Sequence, residues 1–133
     1  MSHITVVATE LRDPDAIKAV ARALGIEIVE NARVRFFLGH SALCDLVFRL
    51  PGLYDLGLKR NERGVYDFVC DQELLDNHCS RGEAGRAIIG QHGNRIKQEY
   101  AVQKAMATAR RKGQSVVRQQ LNDGSVRLVI RGL

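Results

Sequence analysis

Tryptophan is absent, and four Phe and three Tyr make up the whole aromatic complement of 133 residues. That scarcity weakens any reading that depends on stacking bases against rings. Cysteine is also scarce: Cys44, Cys70 and Cys79 are odd in number and form no close-spaced motif. A disulfide framework is thereby excluded, and reduced thiols in a cytoplasmic setting are expected. Long apolar runs are missing too. Ile4–Ala8 is too short for a signal-peptide core, and nothing approaches a membrane span, so no membrane partner is expected. No nucleophile elbow, Walker loop, HExxH or CxxC pair occurs, and His3, His40, His78 and His92 are scattered. Catalysis needs a base held near a nucleophile or metal, and no spacing here proposes one. The chain therefore reads as non-enzymatic, with no cofactor and no small-molecule substrate. Cys70, His78 and Cys79, with His92 as a fourth, are the one conceivable zinc set. Adjacent His78 and Cys79 would both have to ligate, and the spacing from Cys70 matches no zinc finger, so no metal is expected.

What is present is an ordinary globular composition, 45% hydrophobic and 26% charged, on a length that suits one domain spanning residues 1–133. The net charge of +5 is unevenly spread. Residues 1–80 carry nine Lys/Arg against twelve Asp/Glu, a net of −3, whereas residues 81–133 carry eleven against three, a net of +8. Such asymmetry points to an acidic partner for the C-terminal half.

Ile4–Thr9 is β-branched and reads as a strand. Asp13-Pro14-Asp15 supplies an N-cap, a proline for the first helical position and an acid for the first turn. Ile17, Val20, Ala21 and Leu24 keep helical spacing up to Gly25. Four strands are predicted next, at Ile26–Phe37, Cys44–Leu50, Tyr54–Lys59 and Val65–Cys70. Cys44, Leu46, Phe48 and Leu50 are expected on one face of the second of these, with Asp45, Val47 and Arg49 on the other. Short links such as Pro51-Gly52 and Asn61–Gly64 make the strands antiparallel neighbours. Asp71–Arg81 shows no clear element, and helical sequence begins near Glu83.

A long helix, Asn94–Lys112, then ends at Gly113 and feeds two strands, Ser115–Leu121 and Val126–Arg131, across the hairpin signal Asp123-Gly124. The order is β-α-β-β-β-β-α-β-β, which is α+β: one antiparallel sheet with a short N-terminal and a long C-terminal helix on one face. Along the long helix, Ala101, Ala105 and Ala109 with Val102 and Met106 form a stripe of small side chains expected to lie on the sheet. Lys97, Lys104 and Arg111 recur every seven residues beside Tyr100, which reads either as a solvated face or as an anion-binding ridge. With Arg110, Arg118 and Arg127 they form the candidate nucleic-acid-binding set.

Ile88-Ile-Gly90-Gln-His-Gly93-Asn-Arg-Ile96-Lys97 resembles the GxxG signature of the KH RNA-binding domain, whose loop clamps a nucleic-acid backbone between two helices. Gln91 and His92 stand where lysine or arginine is more usual, and the following helix is longer than a KH helix. The alternative is that Gly90 and Gly93 only break a short helix from a long one. A second resemblance runs almost end to end. Met1-Ser-His, Leu11-Arg-Asp, Leu24-Gly25, Leu50-Pro-Gly-Leu-Tyr-Asp55, Gln98-Glu-Tyr-Ala101, Ala109-Arg-Arg-Lys-Gly113 and Asp123-Gly-Ser-Val-Arg-Leu-Val129 resemble the family of the conserved hypothetical chloroplast reading frame thirty-five, also widespread in bacteria. That resemblance implies a small soluble protein of no established activity. The expected function is therefore binding: a basic C-terminal helix and hairpin docking an acidic macromolecule, RNA or single-stranded nucleic acid first. An acidic protein surface is the alternative, with the chain as an adaptor or accessory subunit of an ATPase machine.

Overall fold

The structure, a computed structural model, describes residues 4–36, 41–76 and 79–132. It is α+β, as the order of elements requires. β1 (Ile4–Leu11), β2 (Glu27–Arg35), β3 (Ser41–Arg49), β4 (Leu56–Arg60) and β5 (Tyr66–Asp71) form one antiparallel sheet in the order β1-β5-β4-β3-β2. α1 (Pro14–Leu24), α3 (Glu83–Ile89) and α4 (Asn94–Arg111) cover one face. The stretch after β5, expected to be irregular, contains a one-turn helix, α2 (Gln72–Leu75), and a 3-10 turn at Ser80–Gly82. β6 (Ser115–Gln120) and β7 (Val126–Arg131) pair only with each other, so the C-terminal hairpin is a separate two-stranded sheet. Phe37 and Gly39, at the predicted end of the second strand, and His78 lie outside the described residues.

Local chemistry sets the ends of α1. The Asp13 carboxylate accepts from the Asp15 and Ala16 amides, Pro14 opens the helix, and Gly25 closes it in the left-handed conformation at φ 69°. Between the helices and the sheet lies the main core, built on Phe48, Tyr54, Leu56, Leu58, Phe68 and Ile96. Each such side chain taken fully out of water contributes about 1.5–3 kcal/mol.

The second face of the sheet is apolar as well, through Val34, Phe36, Cys44, Val47 and Val69. No helix among the described residues covers it; the far half of the β2–β3 hairpin does. The β2–β3 register passes over Asn31 and Asp45, and Asn31 has φ 48°, so both strands bend there. Side chains beyond the bend change face. Cys44 therefore joins Val47 rather than Leu46 and Phe48, which corrects the simple alternation expected of this strand. Bent over in this way, β2 reaches β4 and β5, strands with which it does not pair. Gly57 makes the close approach possible. A Cβ there would stand 2.4 Å from Val34 Cγ2 and 2.7 Å from Cys44 Sγ.

Two buried carboxylates fasten the loops around this body. Asp55 accepts from Arg35 Nε at 2.9 Å and Arg49 Nη1 at 2.6 Å, and its second oxygen also takes the Arg35 amide at 3.0 Å. Burial pushes its carboxyl up, but these bonds together outweigh it and hold the group below the usual range. Glu73 is gripped by the Arg81 guanidinium on both oxygens and accepts from the Tyr54 hydroxyl. Arg81 first, then Tyr54, draws the Glu73 pKa from 4.5 to about 2.

A Gly57→Ala variant should lose roughly 1–3 kcal/mol of unfolding free energy by overpacking the second face, measured by urea titration. The Glu73 cluster predicts a pH dependence. Its folded-state pKa lies below its unfolded one, so the stability it adds is present above about pH 4.5 and is lost as the pH falls toward 2. A Glu73→Gln protein should be less stable than the parent at neutral pH, and the two melting curves should converge near pH 2.

Candidate nucleic-acid interface

α4 begins where two glycines let the chain turn sharply. Gly90 and Gly93 have φ of 79° and 72°, and His92 between them has φ 58°. A Cβ on Gly93 would lie 2.8 Å from Phe68 Cε2, and one on Gly90 would lie 2.8 Å from the Arg95 side chain. Arg95 donates from Nη1 to the Ile88 carbonyl at 3.0 Å, closing the end of α3. Helix, glycine loop and helix are thus present as the KH-like motif implies, with Gln91 and His92 exposed. Backbone conformation and packing on Phe68 already account for both glycines.

The buried face of α4 is Ile96, Glu99, Val102 and Ala109. Ala101 is exposed and Ala105 and Met106 are half-buried, so only Val102 and Ala109 of the expected stripe are buried. Ile96 and one carboxylate complete the packing face. Glu99 sits buried at mid-helix, where both oxygens take the Arg118 guanidinium at 2.6 Å and Oε2 also accepts from Gln103 at 3.0 Å. Burial raises its carboxyl, and the Arg118 and Gln103 hydrogen bonds bring it below the usual range. This pair fastens β6 to the helix. The hairpin has few other attachments, among them the Gln98 amide donating to the Gly124 carbonyl at 3.0 Å.

Four members of the predicted basic set are engaged inside the fold. Lys97 stands 5.7 Å over the Phe68 ring. Tyr100 uses its hydroxyl oxygen to accept from the Arg12 and Asp13 amides, both at 3.0 Å, and thereby ties α4 to the start of α1. Lys104 donates to Asp13 at 3.1 Å, and that bond is the largest cause holding the Asp13 carboxyl below its ordinary value. Arg118 is bound to Glu99. The seven-residue ridge is therefore not a free row of cations: only Arg111 of its three members is exposed, its guanidinium donating to Thr108 Oγ1 at 3.3 Å.

Arg110, Arg111 and Lys112 are exposed at the C-terminal end of α4, and Arg127 and Arg131 are exposed on β7. None of the five has a carboxylate partner among the described residues. Strand alternation and the register Gln119↔Arg127, Ser115↔Arg131 put the two β7 arginines on the hairpin face opposite to Arg118, away from α4. Lys112 and Arg131 were not in the predicted set. Their signal was the run of cations at a helix end and the period-two spacing of Arg127 and Arg131.

Cys70 is wholly buried, and burial pushes its thiol up to about 12. No cluster of three or more His, Cys, Asp or Glu that could hold a metal occurs among the described residues. No helix among them is long and apolar enough to cross a membrane. A groove of about 500 Å³ runs between β1 and α4, with Lys97 and Lys104 on one bank and Ala8 to Leu11 on the other.

These features define a class: an α+β protein in which helices cover one face of a five-stranded antiparallel sheet and a basic hairpin is appended to the last helix. The chain belongs to the DUF1257 family, described as proteins of unknown function, whose family model matches residues 20–129. It is 24% identical over 132 residues to the uncharacterized protein ycf35 of Cyanophora paradoxa, an alignment covering 98% of this chain and 96% of that one. No solved structure matches the chain.

The Glu99–Arg118 pair makes a prediction about the hairpin. An Arg118→Leu variant leaves Glu99 buried without its main partner, at a cost of about 1–3 kcal/mol. Amide exchange across Ser115–Gln120 and Val126–Arg131 should accelerate well before that of β3 and β5, as hydrogen-exchange mass spectrometry would show.

Proposed function

We infer that this protein is a non-enzymatic binding protein whose C-terminal helix end and hairpin dock an acidic macromolecule, with single-stranded nucleic acid the best fit. The observation that carries the reading is the group of five exposed cations, Arg110, Arg111, Lys112, Arg127 and Arg131, none with a carboxylate partner among the described residues. The other basic residues of this half each hold a carboxylate, a carbonyl or a ring of the fold, so the uncommitted charge lies beyond Ala109. Tyr100 is committed to holding the start of α1, which leaves no ring among the described residues of this surface for stacking. Recognition is then of the phosphate backbone, indifferent to sequence and steeply dependent on salt. Cys44 and Cys70 are buried free thiols, which suits work in the reducing cytoplasm.

A protein adaptor is the second reading. It is favoured by Val117 and Ile130, 51% and 45% exposed on the same hairpin, since a protein partner would cover them and a phosphate backbone would not.

Salt separates the two. Five neutralised phosphates should give a slope of log K against log salt near −3.5, at roughly −0.7 per contact. Changing Arg110, Arg111 and Arg127 to glutamine should reduce that slope by about 2 and weaken all sequences alike. Fluorescence anisotropy with a labelled single-stranded oligonucleotide is the measurement. Absence of wild-type binding at about 50 mM salt, where electrostatic contacts are strong, would remove nucleic acid and leave the adaptor reading.

A further inference from the structure

A cleft of about 440 Å³ lies between the last turn of α1, the first half of α4 and the turn of the hairpin. None of the five exposed cations lines it. Such a volume is in the range of about 300–1,000 Å³ typical of small-molecule sites.

The polar groups of its lining are held in place by bonds within the fold. Both Nη atoms of Arg118 are on Glu99, each at 2.6 Å, so the guanidinium is a fixed plane whose terminal edge is taken. Its flat face is left. The amide nitrogens of Gln98 and Gln120 both donate to the Gly124 carbonyl, at 3.0 and 3.2 Å. Each amide is thereby oriented, and each amide oxygen has no donor among the described residues. Arg95 donates from Nη1 to the Ala87 and Ile88 carbonyls and holds no carboxylate among the described residues, so Nε and Nη2 keep donors to spare. Two guanidiniums against the one carboxylate of Glu99 leave the cleft net positive. Ala23 and Leu24 add a short apolar wall.

These groups call for three different parts of one ligand. A fixed guanidinium plane stacks on a flat π-system. Oriented amide oxygens accept from N–H donors on that system's edge, and exocyclic amines are such donors. The spare donors of Arg95 suit an oxyanion, phosphate foremost. An aromatic carboxylate has the plane and the charge but no edge donor; a sugar phosphate has the charge and no plane. We propose that this cleft binds a single nucleotide with an amino-bearing base. The base lies on Arg118 with its amine toward Gln98 and Gln120, and the phosphate meets Arg95. Uracil presents a carbonyl oxygen where cytosine has its amine, and would set oxygen against oxygen. The occupant is a free nucleotide or one nucleotide of a strand, since the contacts are the same. The site does not rest on the outer basic surface, which gathers a polyanion by charge alone.

Isothermal titration calorimetry with AMP, CMP, UMP and adenosine tests this. AMP and CMP should bind at least roughly tenfold tighter than UMP, the discrimination given by one good pair of base-edge contacts. AMP should exceed adenosine by a similar factor. Arg95→Gln should abolish that second difference, and Arg95→Lys, which keeps the charge, should restore part of it. Gln98→Ala combined with Gln120→Ala should lower AMP to the level of UMP. Gln120→Ala alone leaves the Gln98–Gly124 bond in place and should move in the same direction, with circular dichroism confirming the fold. Competition separates the two sources: displacement of AMP by oligo(A) marks a nucleotide within a strand, and its persistence marks a free one. Absence of AMP binding at millimolar concentration, equal affinity for AMP and UMP, or an AMP affinity indifferent to the glutamine and Arg95 changes would overturn the proposal. The salt series on the outer surface reads none of these quantities, so the two sites stand or fall separately.

Discussion

A carboxylate removed from water must be paired, and this fold uses that requirement at three places where regular structure does not reach. Asp55 ties the bent end of β2 and the end of β3 to the loop before β4. Glu73 ties the turn at Arg81 to Tyr54. Glu99 ties the C-terminal hairpin to α4. A buried ion pair stabilises little compared with an apolar replacement, but breaking one side of it is costly. These pairs are therefore better understood as fixing where segments lie than as the main source of stability, which resides in the core between sheet and helices. They also determine which arginines stay free. In the C-terminal half Glu99 takes Arg118 and Asp13 takes Lys104, whereas Arg110, Arg111, Lys112, Arg127 and Arg131 keep no carboxylate partner among the described residues.

Much of this was legible in the chain. Asp13-Pro14, Gly25, Asn61–Gly64 and Asp123-Gly124 are local signals, and local signals fixed the helix and turn boundaries within a residue or two. The resemblance carried by short pieces such as Gln98–Ala101 and Ala109–Gly113 led to the right family. The bend at Asn31 was not legible, because Asn tolerates a left-handed conformation without requiring one and the alternation around Leu46 and Phe48 looks regular. Nor does spacing reveal what a side chain meets. Lys97 and Lys104 recur on α4 as a ridge would, yet their roles depend on Phe68 and Asp13, which lie far away in sequence. Glu99 appeared as one acid in a basic half; only the tertiary structure shows it buried and matched to Arg118.

The molecule thus has two unlike ends. At one, charge is free and apolar surface is sparse apart from the hairpin valines and isoleucine. At the other, β1, uncharged from Ile4 to Thr9, borders a groove lined by Glu10, Lys97 and Lys104. The first is the surface on which the proposed acidic partner would dock. α4 connects them, since Lys97 stands near its beginning and Arg110 and Arg111 near its end.

The pairing of β1 with β5 has a consequence for how the chain is made. β2, β3, β4 and β5 follow one another as neighbours and can zip together through short loops, whereas Ile4 must find Asp71. Of the five strands of this sheet β1 is made first, yet its pairing spans the greatest sequence distance, and loop closure over that distance must precede any contact that rewards it. Until β5 emerges, Ile4–Thr9 is an extended apolar segment with both edges bare. A nascent chain in that condition is at its most vulnerable to chaperones, proteases and its own siblings on the same message.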